Sequence, residues 1–537
     1  MSGKMTTKSE ETGTYYMTEN VHASAFDDGN EIERANGEVL LFVDTNNLDK
    51  TPNLSHLKLA KDKHTVLVPQ PSDDPADPLN WPSWRKHALL LLVAWGAFCG
   101  DFASTCGIAA APVQAKEWAM NLVIANYPNN LSALMCGISG LLWMPLLNSW
   151  GRAPVLFWST LLGFFFTLGC ALSPTYEVYY GMRILQTVNA STGQTIGLAF
   201  IRDMFFFHEH ARKIGIWYTI FIASPFCGPL FGNIMVAKLH NWPSVFWLTF
   251  GIIGLLLLAI VALADEPYYN RDISTERQPP RTASTRIFRI LGVWQVENRH
   301  GYFPGVWQSY RRLLRVLIKP IIPLTMVYYS AIYMWNVGIV KSAAIIFGLP
   351  QSQGGYGLSQ LVLGLAFFTP VVGVFVGEAF GHWFNDWIAD RYVRKHNGVF
   401  VPEARLTAPY VGAVLMIPGL VLLGQALEKH LNIAAVIMGW GLYSVGLMIT
   451  SVATVAYILD CYPSASGEVS ALVNFARVAL GFSVGYYQQE WGLKVGFDAS
   501  FGTQAAIVAA AFIVLALIQC FGGRIRVASG PVKPLVV

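Results

Sequence analysis

From Lys86 to Phe521 the chain alternates apolar runs with short polar connections. Each run is about twenty residues, and at about 1.5 Å of helical rise per residue that length crosses a hydrocarbon core of about 30 Å. Six runs fall at 86–110, 131–147, 154–173, 177–200, 214–236 and 243–264. A polar stretch at 266–318 follows, and then come runs at 320–340, 357–380, 407–427, 431–457, 466–487 and 500–521. The pattern predicts an all-α membrane protein with twelve transmembrane helices in two six-helix bundles.

The domain organisation follows from the same pattern. Residues 1–80 are rich in Asp, Glu, Ser, Thr and Asn without a sustained apolar period, which predicts a disordered N-terminal tail. The first bundle is expected over 81–265, a central loop over 266–318, the second bundle over 319–523 and a C-terminal tail over 524–537. No apolar core of a cleavable signal peptide occurs between Met1 and Asn30, so the first span is expected to act as its own insertion signal. In the central loop, the stretch from Trp307 to Leu317 puts Arg and apolar residues on different helical faces. It suits a helix lying along the membrane surface, or a solvated linker leading into the seventh span.

Composition strengthens the membrane reading. Charged residues make up 13% of the 537 and hydrophobic residues 53%, and mean hydropathy is +0.42; soluble domains carry about 25% charged residues. The net charge of +4 is too small to suggest a nucleic-acid partner. Its distribution is more informative, because Lys and Arg concentrate at one set of span ends: Arg85 and Lys86, Arg152, Arg202, Arg212 and Lys213, the central loop, Arg391 to Arg405, and Arg524 and Arg526. That side is expected to be cytoplasmic, together with both termini. The seven cysteines sit in or beside apolar runs with no CxxC pair, so free thiols are expected.

Ionisable groups within the hydrocarbon region are costly and mark function by default. Asp101 in the first span shares a helical face with Phe98, Ser104 and Thr105. Arg183 in the fourth shares one with Gln186, Thr187 and Gln194, and Arg477 in the eleventh with Ser470, Asn474 and Gly481. Three helices thus present polar faces to a common interior. Asp101 and Arg183 either form a buried ion pair that holds the first bundle together or serve in proton coupling, since a carboxylate in low dielectric beside a guanidinium is poised to load and release a proton. Arg477 either contributes to the cavity or satisfies carbonyls of a broken helix. Glu378 and Glu468, near span ends, are expected to be structural. In the seventh span Tyr329, Tyr333 and Asn336 share a face that suits a pocket for an amphipathic or cationic molecule, or an interfacial aromatic belt. Gly373, Gly377 and Gly381, and Gly481 with Gly485, allow close helix approach.

With these residues in view, the chain after Asp77 resembles the major facilitator superfamily, and within it the fungal proton-coupled drug and organic-cation transporters with twelve spans. In the fifth span Gly215, Ser224, Gly228, Pro229 and Gly232 match the superfamily's antiporter motif, with eight, three and two residues intervening, Ser224 in place of one glycine and Asn233 in place of the last. Glycines and a proline so spaced bend a helix and let it pack closely against its counterpart in the other half. The loop after the second span retains Gly151 and Arg152 of the family's cytoplasmic gating loop, with Met144, Asn148, Ser149 and Ala153 at its other positions. Arg183 and Gln186 match the fourth-span motif that the family links to proton transfer. Asp77-Pro78-Leu79-Asn80-Trp81, Pro402-Glu403-Ala404-Arg405-Leu406 and Tyr457-Ile458-Leu459-Asp460-Cys461-Tyr462-Pro463 look like the fungal branch. Gly381-His382-Trp383-Phe384-Asn385-Asp386 partly echoes the gating loop, as two homologous halves would.

The resemblance implies two pseudo-symmetric bundles in the major facilitator fold, alternating access, no cofactor, and a proton gradient as energy source. The implied function is efflux of a drug-like compound or secondary metabolite in exchange for protons, from a monomer in the plasma membrane. Its implied partners are a small organic solute, protons and the lipid bilayer. Two alternatives stay open: a proton-coupled importer of an organic cation or polyamine-like nutrient, and a non-transporting receptor with a carrier fold. An enzyme is not expected, since the chain has no GxxxxGK[ST], and no HExxH or GxSxG at a sensible place. His208-Glu209-His210 in a basic loop is expected to be solvated, and no metal site is expected.

Overall fold

The computed structural model describes residues 58–60, 67–271, 273–282, 284–299, 301–395, 401–462, 465–530 and 532. Most of the expected N-terminal tail, and Pro463, lie outside the described residues. Long helices account for the apolar runs: α1 (Ser83–Cys106), α2 (Tyr127–Trp150), α3 (Arg152–Ala171), α4 (Tyr176–Ala190 continued by Gly193–Met204), α5 (Phe207–Leu239) and α6 (Pro243–Leu263). The second set is α7 (Ile321–Ile346), α8 (Gln360–Ala366 continued by Phe368–Lys395), α9 (Ala408–Glu428), α10 (Ile433–Cys461), α11 (Ser466–Ala479 continued by Gly481–Val495) and α12 (Phe497–Ser529).

Among the described residues ten helices are long and apolar enough to cross a membrane, or eleven when α7 is counted with the short helix before it. The twelfth crossing is α4. Its two halves are separated at Ser191 and Thr192, and its Arg183, Gln186, Thr187 and Gln194 lower its hydropathy. It is nonetheless buried against α1, where Gly193 comes so close that a Cβ would lie 2.3 Å from the Gly96 carbonyl carbon.

The first bundle is organised around α1, which packs on α4, α5 and α6, and the second around α7, which packs on α10, α11 and α12. The bundles meet along α2 against α11, α4 against α11, and α5 against α8. The antiporter-motif glycines work differently from expectation. Gly228 and Gly232 face α1 within their own bundle, with Thr105 Oγ1, the Phe102 carbonyl and Ala109 against them. Contact with the other half is made at Gly364 of α8, which packs against Asn233, and beside Gly215, which approaches Glu378. The glycines at 373, 377 and 381 in α8 pack on Ser444, Met448 and Ile449 of α10.

The central loop is built onto the base of the first bundle. The Glu266 carboxylate accepts from the backbone N–H groups of Arg152 and Ala153 at 3.1 and 3.0 Å, capping α3 where anions are favoured. Gly151 there has φ +98°, and a Cβ would meet Glu266 at 2.6 Å. Arg152 itself pairs with Asp203 at the end of α4 at 2.9 Å. Asp265 binds Arg85 at 2.6 Å and Arg289 at 2.7 Å. Burial pushes the Glu266 carboxyl above its ordinary value against the pull of Arg152. For Asp265, burial is outweighed by the hydrogen bond and charge of Arg289, and the group is held low. Residues 67–80 join this base: Asp77, fully buried, pairs with Arg271 at 2.8 Å and accepts from Leu79 N and Ser72 N.

The helix Val306–Leu317 lies at 73° to α7 rather than extending it. Its Tyr310 hydroxyl donates to the Leu142 carbonyl of α2 at 3.0 Å. Trp307, Leu314 and the adjoining Ile318 are exposed on its outer side.

Candidate functional site

The site lies where the two bundles face each other at the level of the last turns of α1. The polar positions in the last turns of α1, Asp101, Ser104 and Thr105, stand three and four residues apart, and the helical period brings them to one side. These line a small central cavity of about 30 Å³ together with Tyr333, Asn336 and Lys341 of α7 and Arg477 of α11. A second space of about 10 Å³ adjoins it at Tyr333 and Asn336 and reaches toward α10.

The ion pair in this cavity differs from the expected one. Asp101 Oδ2 accepts from Arg477 Nη2 at 2.8 Å, across the boundary between bundles, with both side chains almost fully buried. Arg183 faces away from the carboxylate. Its guanidinium donates to the carbonyls of Ala103 and Ser104 at 2.6 and 2.8 Å, to Asn129 Oδ1 at 3.0 Å and to Gln186 Oε1 at 2.6 Å. The physical reason is topological: α1 ends beside Arg183 with carbonyls that have no helical partner, whereas the polar face of α11 sits opposite Asp101. Arg183 therefore staples α1, α2 and α4, and Arg477 joins the two halves.

Arg477 is held on all sides. Its Nε donates to Asn474 Oδ1 at 3.2 Å, its Nη1 to the Tyr333 hydroxyl at 3.4 Å, and the guanidinium lies 4.5 Å from the Phe221 ring. Asn474 in turn donates to Gln194 Oε1 of α4 at 3.0 Å, a second bond between bundles. The Cys136 thiol lies 3.2 Å from Asp101 Oδ1 and 3.1 Å from Gln194 Oε1. Tyr329 stands beside Tyr333 with ring centroids 5.5 Å apart, and its hydroxyl is 3.4 Å from that of Tyr218 on α5. Gln186 lies behind α1 with Arg183. Phe98 is not at the cavity; its ring stacks on Phe102 at 5.5 Å in the apolar cluster that α1 shares with Tyr179, Trp242 and Phe246.

The residue that sequence reasoning missed is Lys341. The apolar run stops at 340 when a lysine is taken as its end, yet α7 continues to Ile346 and Lys341 is 2% exposed. The apolar Ala343 to Phe347 that follows was the available signal. Its ammonium donates to the Ser104 carbonyl at 2.8 Å, to Ser104 Oγ at 3.0 Å and to Ser132 Oγ at 3.2 Å.

Both ends of the cavity are closed. Toward the C-terminal ends of α1 and α7, Asn126 donates to the Lys341 carbonyl at 2.7 Å and Gln360 to the Ala109 carbonyl at 2.7 Å. At the Arg-rich end, Asn148 donates to Glu468 Oε1 at 3.2 Å, Arg202 to Ser466 Oγ at 3.4 Å, and Arg312 lies 3.5 Å from Glu468. Glu468 is thus buried in a contact between bundles rather than reaching out of the membrane. Of the gating-loop residues, Asn148 serves this closure and Gly151 and Arg152 serve the base of α3.

Residues 93–486 match the family model for the Major Facilitator Superfamily. An efflux pump, radE, from Floropilus chiversii is 22% identical over 84% of this chain and 83% of its own length. Polyamine transporter 3 of Saccharomyces cerevisiae is 23% identical over 83% of this chain and 70% of its own. Among solved structures, the proton:xylose symporter XylE, known from E. coli, has a TM-score of 0.58 at 14% identity, covering 82% of this chain and 96% of that one.

Proposed function

Because the chain belongs to the major facilitator superfamily, a family of membrane transporters and not enzymes, we propose that it exports a small organic solute in exchange for protons. The observation that carries this reading is the Asp101–Arg477 pair, which ties the two bundles together across the cavity. In a low-dielectric site such a pair holds strongly only while both members are charged. A proton arriving on Asp101 cancels the attraction and frees Arg477 with the α11 face around it. The contact between α1 and α11 then loosens and the bundles can rock about the solute. Loss of the proton on the other side restores the pair.

The direction follows the one of these relatives whose name states it, the efflux pump radE of Floropilus chiversii. The excess of Lys and Arg at one set of helix ends supports an orientation with that face and both termini in the cytoplasm, and the plasma membrane suits an exporter. Each chain carries its own cavity, so a monomer suffices. Export is tested by loading cells with candidate solutes under an inward proton gradient and replacing Asp101 with Asn. Loss of gradient-driven export in Asp101→Asn is expected. Intact export in that variant defeats the coupling role, and accumulation of external solute at acidic outside pH makes the protein an importer.

A further inference from the structure

The charges around the cavity do not balance. Among the described residues Asp101 is the only carboxylate lining it, and Arg477 already neutralises that group. Lys341 has no acidic partner there; its three donors end on the carbonyl and hydroxyl of Ser104 and the hydroxyl of Ser132, all neutral acceptors. Three oxygens within hydrogen-bond distance match the three N–H groups of an ammonium. The Ser104 carbonyl that it binds at 2.8 Å is also bound by Arg183 Nη2 at 2.8 Å. Two cations therefore converge on a single carbonyl oxygen, in a region where water does not screen their repulsion. An anion delivered to the cavity would relieve this, and an organic cation would aggravate it.

Resting on the transport reading above, we infer that the solute is an amphipathic organic anion, whose charged group meets Lys341 while its apolar body lies against Ala133, Val337, Val340 and Val478. The Ser132 hydroxyl, the longest of the three contacts to Lys341, is the one that the anion replaces. The apolar wall is supplied by residues that line the same cavity, so both parts of an amphipathic molecule find their match within it. A polyamine would set positive charge against Lys341 and Arg477 with no free carboxylate to answer it.

The experiment uses the full chain in proteoliposomes and two probes that share one aromatic body and carry permanent opposite charges: 1-pyrenesulfonate and (1-pyrenylmethyl)trimethylammonium. In the unaltered protein the sulfonate is expected to move faster than the ammonium by about tenfold or more, the scale of one hydrogen bond to a charged group. Lys341→Met is expected to lower sulfonate flux by a similar factor, and the charge-keeping Lys341→Arg is expected to recover it. Elution of each variant as a single species checks its folding, and the ratio of the two probes in the unaltered protein needs no variant at all. Preference for the ammonium, or sulfonate flux unchanged in Lys341→Met, overturns the inference. Sulfonate movement that ignores the proton gradient supports the inference and removes only the coupling part of the proposed function. No movement of either probe under any gradient removes both.

Discussion

Asn148 on α2 donates to Glu468 on α11 at 3.2 Å, and the same carboxylate takes Arg312 of the central loop at 3.5 Å. One buried acid thus joins three parts of the chain at the Arg-rich end. The backbone follows suit: Gly467 lies so close to Met144 that a Cβ would meet its methyl at 2.3 Å. Opening this end of the cavity requires these contacts to separate together.

Glu468→Ala is therefore expected to weaken closure at that end. Asn148 loses its acceptor and Arg312 the carboxylate 3.5 Å from its Nε, and the cost of leaving a buried polar group unpaired is about 1–3 kcal/mol. With Cys520, the one exposed native thiol, replaced by serine, maleimide labelling of a cysteine introduced at Ala471 should rise several-fold. Unchanged labelling would mean that the helix contacts alone keep the end shut.

The Asp101–Arg477 pair gives a prediction in two steps. Asp101→Asn leaves Arg477 charged and buried without its counter-ion, a change that costs about 3–5 kcal/mol where such pairs are broken on one side. The melting temperature in detergent should fall. Arg477→Gln added to it removes the stranded charge and should recover much of that loss, because a neutral Asn–Gln contact has no such penalty. Gradient-driven transport should be absent in both variants. Recovery of transport along with stability would assign the pair to structure alone.

The antiporter-motif glycines are expected to divide by what they face. A Cβ at Gly228 would come within 2.4 Å of Thr105 Oγ1 and 2.9 Å of the Cys106 nitrogen, while at Gly215 the nearest atom is Glu378 Oε1 at 3.8 Å. Gly228→Ala should destabilise by about 1–3 kcal/mol, the usual range for overpacking, and Gly215→Ala should fold normally. Thermal unfolding of the two purified variants decides the point, and equal behaviour would refute this account of the packing between α5 and α1.

How much of this could be read in the sequence depends on which interaction does the work. The apolar runs report the solvent directly, so the helices fall close to where hydropathy puts them, and even α4 is recoverable once its polar face is seen as turned inward. Pairing is another matter. Helical periodicity says which residues of α1 share a side, but not which of two distant arginines stands across from it, and so Arg477 rather than Arg183 reaches Asp101. Lys341 was hidden by a boundary, since a lysine near a span end is usually taken to leave the membrane. Glu266 and Asp203, which hold Arg152, lie far from it in the chain and belong to no periodic pattern. Such long-range polar contacts depend on tertiary geometry that a local pattern does not carry.

Outside the membrane-spanning helices, Asp77 offers a prediction with a definite sign in pH. Burial by itself raises its carboxyl, but the hydrogen bond and charge of Arg271, with backbone donors from Leu79 and Ser72, hold it below the ordinary value of 3.8. A group whose value is lower folded than unfolded binds its proton more readily when unfolded, so it adds stability above the unfolded value and loses it as pH falls through the folded one. Asp77→Asn removes that contribution and leaves Arg271, a quarter exposed, to find water. At pH 7 the variant should be less stable by about 1–3 kcal/mol. Its melting temperature should fall less steeply than that of the unaltered protein as pH drops from about 5 toward 3, the range over which such carboxylates titrate. Parallel curves would show that the clasp between residues 67–80 and the central loop stands without the charge on Asp77.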